Sequence, residues 1–154
     1  MADSKKKYEF IQSVEIEAVI GELFQFHLDT NNLPKISPSF PKASIKSISD
    51  IPLKKGSKVI VTLNFFLFKT DWEILVDELK KNELIIDLQQ KGLFEYWSHS
   101  HIFEAKNDKV VMTDRVEFIP PFGIVGKLLL PFVQLQLKFM FNYRHRKTKQ
   151  LFEN

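Results

Sequence analysis

The spacing of hydrophobic residues changes along the chain and predicts strands in some segments and helices in others. Residues 7–16 alternate between hydrophobic and polar side chains, a period that predicts a half-buried β-strand. Between Glu17 and Leu28 the apolar residues recur at helical spacing, which predicts an amphipathic helix. Asp29 to Ser37 then suits a short helix or a turn, because Pro38 disfavours helical continuation.

From residue 42 to residue 119 the strand period returns and is interrupted only by short breaks. Short connections join antiparallel strands, since a parallel crossover needs about a dozen residues. The predicted strands are Ala43–Ser49, Lys58–Phe68, Thr70–Lys80, Glu83–Lys91, Tyr96–Lys106 and Lys109–Ile119. With the first strand they predict one antiparallel sheet.

A helical period follows Pro120 and Pro121 and predicts a long C-terminal helix that ends near Leu151. Pro131 either kinks this helix or begins its main part. An apolar stripe follows one face of the helix: Leu128, Phe132, Leu135, Phe139 and Tyr143. We expect an α+β fold in which a curved, six- or seven-stranded sheet surrounds this helix, with two short helices after the first strand. Such a sheet leaves room for a cavity against the helix.

The strands Tyr96–Lys106 and Lys109–Ile119 predict a hairpin with a two-residue turn at Asn107 and Asp108. This register gathers ten side chains on one face: Trp97, His99, His101, Phe103, Ala105, Val110, Met112, Asp114, Val116 and Phe118. The face is mostly apolar and should point to the core, although a shift of one residue would reverse the assignment.

Three ionisable residues, His99, His101 and Asp114, share that apolar face, and His101 lies opposite Asp114 within hydrogen-bonding reach. Three interpretations are open. The residues form a hydrogen-bonded cluster that fixes the register, or they anchor a carbonyl or hydroxyl of a ligand. In the third interpretation they take part in a reaction: His101 and Asp114 form an acid/base pair, or the two histidines and the carboxylate bind a metal ion. No cysteine or fourth obvious ligand supports a metal, so we expect no metal and no cofactor.

Composition narrows the classes of function. The chain has 15 phenylalanines in 154 residues, which either fill a core or line a cavity. Its net charge of +3 is concentrated near the two ends, which leaves transient contact with an anionic membrane open, whereas we expect no nucleic-acid binding. The chain contains no cysteine, which excludes disulfides and permits a reducing compartment.

Neither the N-terminal residues nor the most apolar tract of the chain indicates a targeting or membrane-spanning segment. Residues 1–10 carry lysines without an apolar run behind them, so we expect no secretory signal and a cytoplasmic location. The most apolar tract, Phe118 to Val133, is interrupted by prolines, glycines and a lysine and is a poor membrane span.

Local sequence patterns resemble one known superfamily. They are the segment Asn32–Pro38, the run Lys91–Phe94 before Trp97, His99, His101 and Phe103, the set Asp114, Val116, Pro121, Gly123 and Gly126, and the group Phe141, Tyr143, Arg144 and His145. These patterns are similar to those of the START-like (SRPBCC), helix-grip proteins: the Bet v 1, polyketide cyclase/dehydrase and lipid-transport group, in particular its bacterial ligand-binding branch. The resemblance covers about residues 8–150, and we expect one START-like domain over residues 1–154.

The resemblance implies a cavity for a hydrophobic small molecule such as a lipid, fatty acid, quinone or polycyclic aromatic, with the protein acting as carrier or sensor. We expect eleven residues to line it: Trp97, His99, His101, Phe103, Met112, Asp114 and Val116 of the hairpin, and Phe132, Leu135, Phe139 and Tyr143 of the last helix. Members of the superfamily range from carriers to cyclases, and no catalytic set is common to them all.

Two other classes of function remain open. A cyclase, dehydratase or hydrolase would use the same cavity, with His101 transferring protons, Asp114 orienting it and His99 polarising a carbonyl. A partner-binding module would instead expose an apolar patch around Phe118–Phe132 and form oligomers. The sequence specifies neither the ligand nor the oligomeric state.

Overall fold

The computed structural model describes residues 5–154 and contains one antiparallel sheet and four α-helices within them. The strands are β1 (Tyr8–Ile16), β2 (Lys42–Ile48), β3 (Lys58–Asn64), β4 (Lys69–Lys80), β5 (Leu84–Lys91), β6 (Tyr96–Lys106) and β7 (Lys109–Ile119). The helices are α1 (Ile20–Leu28), α2 (Leu33–Ile36), α3 (Gly123–Leu128) and α4 (Leu130–Glu153), with a 3₁₀ turn at Thr30–Asn32.

The seven strands are ordered β1-β7-β6-β5-β4-β3-β2 in a curved sheet. The chain begins at one edge with β1, crosses to the other edge through α1 and α2, and returns strand by strand until β7 pairs with β1. The register shifts twice between β4 and β5, near Glu73 and near Val76. Irregularities of this kind bend a strand and give the sheet a concave face.

The long helix α4 contacts β1 and α2 and continues to Glu153. Pro131 lies in its first turn, so the second alternative for this proline is the one observed. The short helix α3 precedes it, and a Cβ added to Gly126 would lie 1.9 Å from the carbonyl oxygen of Pro121. This close approach of two backbone segments requires glycine at that position.

The first helix begins at Ile20, three residues later than predicted. Val19 has an extended backbone, and its carbonyl accepts the first hydrogen bonds of the helix from Glu22 and Leu23. The backbone N–H of Glu17 is donated to the side chain of Glu153 on α4. A contact with the far end of the chain therefore replaces the first predicted helical turn.

The strand β3 ends at Asn64 and not at Phe68 as predicted. Phe66 has a left-handed backbone with φ of 63°, and the N–H of Phe65 is donated to the carbonyl of Phe68. Residues 65–68 are all apolar, so the apolar residues of the strand continue without a break into a segment that forms a turn. Hydrophobic spacing alone does not separate such a turn from a strand.

The buried face of α4 also differs from the predicted stripe. Phe132, Leu135 and Phe139 are 69%, 65% and 54% exposed. The buried residues are Leu137, Phe141, His145 and Thr148. This buried face includes the polar residues His145 and Thr148, which a hydrophobicity pattern assigns to solvent. Burial of His145 is tolerated because it hydrogen-bonds to Asp114 on β7.

Two apolar clusters hold the helices on the sheet. In the first, Leu23 and Phe24 of α1 pack on the sheet, with the rings of Phe24 and Phe103 edge to face at 5.4 Å. In the second, Phe141 of α4 stacks on Phe10 of β1 at 5.5 Å and contacts the cluster around Phe118. Within residues 5–154, none of the helices is both long and apolar enough to cross a membrane.

Candidate functional site

A cavity of about 660 Å³ lies between the sheet and the helices. Its wall comes from the inward faces of β2 to β7, from α1, α2 and the turn between them, and from α4. Much of this wall is apolar, with Val59, Val61 and Leu63 on β3 and six phenylalanines among its residues. The phenylalanines therefore have both predicted roles: some line the cavity, and others, such as Phe24 and Phe103, fill the core.

The cavity wall contains seven of the eleven residues expected there: Trp97, His99, His101, Met112, Asp114, Phe132 and Leu135. The other four lie elsewhere, and the expectation is corrected for them. Phe103 and Val116 are buried inside the two apolar clusters. Phe139 is on the exposed side of α4, and the half-buried Tyr143 lies against the outer residues Arg146 and Lys147.

Asp114 is the centre of a buried polar cluster at the inner end of the cavity. Nε2 of His99 donates to its Oδ1 at 2.6 Å, and Nε2 of His145 donates to its Oδ2 at 2.5 Å. Nδ1 of His101 lies 3.0 Å from Oδ1, in a contact that is close but poorly aligned for a hydrogen bond. The predicted register is confirmed, since His101 is directly opposite Asp114.

Asp87 on β5 completes this cluster from the other side of His101. Its Oδ2 lies 3.2 Å from Nε2 of His101, so the imidazole is held between two carboxylates. The ring of His27 on α1 is 5.6 Å from that of His101, and its Nδ1 donates to the carbonyl of Leu23. All four histidines of the chain therefore lie at this end of the cavity.

The carboxylates and burial give these groups different protonation states. Burial alone would lower the pKa of His101, but Asp114 and Asp87 outweigh it and raise the pKa to about 9. Burial also opposes the ionised form of Asp114, yet the contacts with His101, His145 and His99 hold its pKa well below the usual value. Near neutral pH the cluster therefore contains a charged His101 and an ionised Asp114.

Burial dominates at the two remaining histidines whose pKa is shifted. It lowers the pKa of His27 to about 4, with a further contribution from the charge of His101. Burial and the same charge lower the pKa of His99. Both side chains are therefore neutral near pH 7, and His99 donates a neutral N–H to Asp114.

Four residues at this end were not among the site residues predicted from the sequence: His27, Asp87, Arg144 and His145. His145 lies one helical turn after Phe141, on the same face of α4, and this spacing is the signal in the sequence that favours it as a further partner of Asp114. Asp87 was missed because the register of β5 depends on the turn around Lys81 and Asn82, whose length the sequence left open.

A donor set for a metal ion is present in the cluster. Asp87, His99 and His101 each offer one ligand atom, and these atoms lie within 4.8 Å of one another. In the structure Nε2 of His99 faces Asp114, and Nε2 of His101 faces Asp87. The expected absence of a metal stays a prediction.

No family model matches the sequence, and none of the curated proteins matches it. Solved structures do match. The di-domain ARO/CYC StfQ from the steffimycin biosynthetic pathway is 9% identical with a TM-score of 0.74, over 96% of this chain and 51% of StfQ. The chain thus spans about half the length of that protein.

Two further structures match along most of both chains. A START superfamily protein from Mycobacterium smegmatis is 12% identical with a TM-score of 0.71, over 94% of this chain and 97% of that protein. Norcoclaurine synthase from Thalictrum flavum is 14% identical with a TM-score of 0.71, over 96% and 95%. The chain has the START-like, helix-grip fold, as predicted. At these identities the similarity establishes the fold and not an activity.

Proposed function

We propose that this protein binds a hydrophobic small molecule between the sheet and α4, as a carrier or sensor. The cavity of about 660 Å³ is the observation that supports this function. Its volume is in the range of ligand sites, which are mostly apolar with a few polar groups that fix orientation. Here most of the ionisable side chains of the wall lie in or beside the Asp114 cluster, so an amphiphilic ligand would place its polar end there.

The mouth of the cavity supports a carrier that contacts a lipid surface. Phe40 and Phe132 belong to the wall and are also exposed, and the ring of Phe66 stacks on that of Phe40 at 4.9 Å. Next to Phe66 in the β3–β4 turn, Leu67 is 96% exposed. Exposed apolar side chains next to a cavity mouth favour transient membrane contact.

Co-purified ligand tests the proposal directly. The protein is purified under native conditions and denatured, and the extract is analysed by mass spectrometry for small molecules. Ala43 lines the cavity, so Ala43→Trp should occupy the space and reduce the bound ligand per protein about tenfold. Ala105 is exposed on β6 outside the wall, and Ala105→Trp is the matched control that should leave loading unchanged.

The proposal fails if the wild-type protein carries no small molecule and binds none from a panel of lipids and aromatics. It also fails if Ala43→Trp and the control lose the same amount of ligand. Loading that is lost only in Ala43→Trp would support the cavity as the binding site.

A second candidate is an enzyme of the cyclase or dehydratase type. His101 lies in the cavity wall as a cation between two carboxylates, so it can donate a proton to a carbonyl or hydroxyl oxygen of a bound molecule. His99 does not fit the role expected for it, the polarisation of a carbonyl: its one N–H is donated to Asp114, and its Nδ1 is left as a proton acceptor. The names of two fold neighbours, an ARO/CYC protein and a synthase, connect this fold with catalysis.

His101→Gln separates the two candidates once a ligand is identified by mass spectrometry. In the carrier the variant keeps the ligand unchanged in mass, as the wild-type protein does. In the enzyme the wild-type protein converts the ligand, and the variant binds it without converting it. A wild-type protein that returns the ligand unconverted would exclude this enzyme for that ligand.

A further inference from the structure

Arg144 on α4 lies in the cavity wall, and in the described residues its charge has no carboxylate partner: its guanidinium carbon lies 5.8 Å from the centroid of the Phe141 ring, a cation–π contact that supplies no hydrogen bond. It is half-buried, and its Nε is shielded from solvent with no hydrogen-bond partner in the described residues. Within the same residues its guanidinium has no carboxylate oxygen within 4.0 Å. Lys149, further along the same helix, does form an ion pair: its Nζ lies 3.3 Å from a carboxylate oxygen of Glu153.

The carboxylates that line the cavity already have partners. Asp114 is contacted by three histidines, and Asp87 by His101. Asp29 accepts the backbone N–H of Asn31. These carboxylates are thus paired with imidazoles and backbone groups, and none of them is paired with the guanidinium of Arg144.

A shielded guanidinium without a hydrogen bond or a carboxylate partner is costly. Burial lowers the pKa of Arg144, with Asp114 and Asp87 acting in the opposite direction, yet an arginine side chain stays protonated in proteins. A buried charge is tolerated when it is paired and hydrogen-bonded. Unpaired polar atoms are also concentrated here: among residues 5–154 six buried side-chain atoms lack a partner, and five belong to the cavity wall.

We propose that the ligand is an amphiphile with a carboxylate head, which pairs with the guanidinium of Arg144 while its apolar part lies along β3 towards the mouth. This inference rests on the proposed function and names the ligand class for the same cavity. The planar fork of an arginine matches the two oxygens of a carboxylate, and such charge-assisted pairs are about twice as strong as neutral hydrogen bonds.

The charges of the cluster already balance before a ligand binds, so a carboxylate head would enter together with one proton. Asp87 and Asp114 contribute two negative charges, and His101 and Arg144 two positive ones. His99 is held neutral against Asp114, and His27 and His145 lie beside the same groups. An arriving carboxylate can therefore be compensated within the cluster, because His99 sits next to it with a nitrogen that accepts a proton.

Displacement of a neutral fluorescent probe tests the inference. N-phenyl-1-naphthylamine is bound to the wild-type protein and displaced with dodecanoic acid or with dodecanol, which differ only in the head group. We expect the acid to bind at least about tenfold more tightly than the alcohol. In Arg144→Gln this preference should fall to about one, with the affinity for dodecanol unchanged.

Arg146 provides the matched control, because it is exposed on the same helix and outside the cavity wall. Arg146→Gln should keep the preference of the wild-type protein, and thermal unfolding should show that both variants are folded. Equal affinities for acid and alcohol in the wild-type protein would overturn the inference, and Arg144 would then only balance Asp87 and Asp114. The same holds if Arg144→Gln weakens both ligands equally.

Failure of the proposed function has a different signature. If the neutral probe does not bind to the wild-type protein and neither ligand binds in calorimetry, the cavity takes no apolar molecule. Probe binding without a preference for the acid overturns only the assignment of Arg144.

Discussion

Asp114 organises the chemistry of the cavity at the scale of single residues. Its two oxygens receive N–H groups from β6 and α4, so one carboxylate joins the sheet to the helix that covers it. Removing one partner of such a buried network is expected to be more disruptive than removing a surface pair, because the remaining charge stays buried. The cluster therefore both connects α4 to the sheet and forms the polar end of the cavity.

The pKa values of His101 and His27 predict how stability depends on pH. An unfolded histidine has a pKa of about 6.5. The pKa of His101 is raised to about 9, so its contribution is complete below pH 6.5 and is lost as the pH rises towards 9. The pKa of His27 is lowered to about 4, so its contribution is present above pH 6.5 and is lost as the pH falls towards 4.

Urea unfolding between pH 4 and pH 9 measures these contributions, and NMR titration of the imidazoles assigns them. We expect the unfolding free energy to decline on both sides of about pH 6.5, by on the order of 2–3 kcal/mol for His101. Asp87→Asn removes one of its two carboxylates and should lower the pKa of His101. A His101 resonance that titrates near 6.5 in the wild-type protein would contradict this account.

The sequence predicted part of this cluster and missed the rest for a physical reason. His99, His101 and Asp114 were placed inside together because a hairpin with a two-residue turn has a defined register. Asp87 and His145 come from elements whose register or rotation depends on tertiary contacts. A polar residue on a helix is assigned to solvent until a buried partner for it is known.

The turn between β3 and β4 is the element that the pattern described least well. Residues 65–68 continue the apolar run of the strand, but they leave the sheet and expose Phe66 and Leu67 beside the cavity mouth. A long apolar run that ends in an exposed turn costs solubility and is usually kept for a contact. We interpret this turn as a membrane-contacting segment.

Leu67→Glu tests that interpretation. Leu67 is 96% exposed, so the change should not affect folding, whereas loss of its insertion should weaken binding to phosphatidylglycerol vesicles about tenfold. Ile11→Glu is the matched control, since Ile11 is also exposed but lies on β1 at the opposite edge of the sheet. Equal vesicle binding by the two variants and the wild-type protein would exclude this turn as a contact site.

The α4 helix shows the same limit from the other side. Its existence and its end were predictable from the helical period, and Pro131 at the first turn was one of two stated alternatives. Its rotation was not, because the most apolar stripe lies near the mouth and outside while Leu137, Phe141 and His145 face inwards. In a protein with a cavity, exposed apolar residues remove the usual link between hydrophobicity and burial.

At the scale of the whole molecule the architecture was the most predictable level. Antiparallel strands joined by short turns permit few arrangements, and a single long amphipathic helix must cover one face of their sheet. The cavity was an expectation of the fold, but its volume depends on how far the sheet curves away from α4. That distance depends on the bulges in β4 and β5 and on the Asp114 cluster, which no spacing rule describes.

Cavity volume that protein side chains do not occupy lowers the stability of the ligand-free protein. Empty apolar volume destabilises a protein by about 24 cal/mol per Å³ in measured series, so a side chain that fills part of it should stabilise the ligand-free protein. Ala43→Trp should therefore raise the unfolding free energy by about 1 kcal/mol while it reduces ligand loading, and Ala105→Trp should do neither.

Urea unfolding of the delipidated proteins gives the free energies, and mass spectrometry of the native proteins gives the loading. Opposite changes in stability and loading would mean that the space is maintained for a ligand at the expense of stability. If Ala43→Trp is destabilised by more than about 2 kcal/mol, the space beside Ala43 does not admit the ring, and the wall is packed more tightly than the structure indicates. If stability rises and loading is unchanged, the ligand occupies another part of the molecule, because the same side chain cannot fill the cavity and leave room for its occupant.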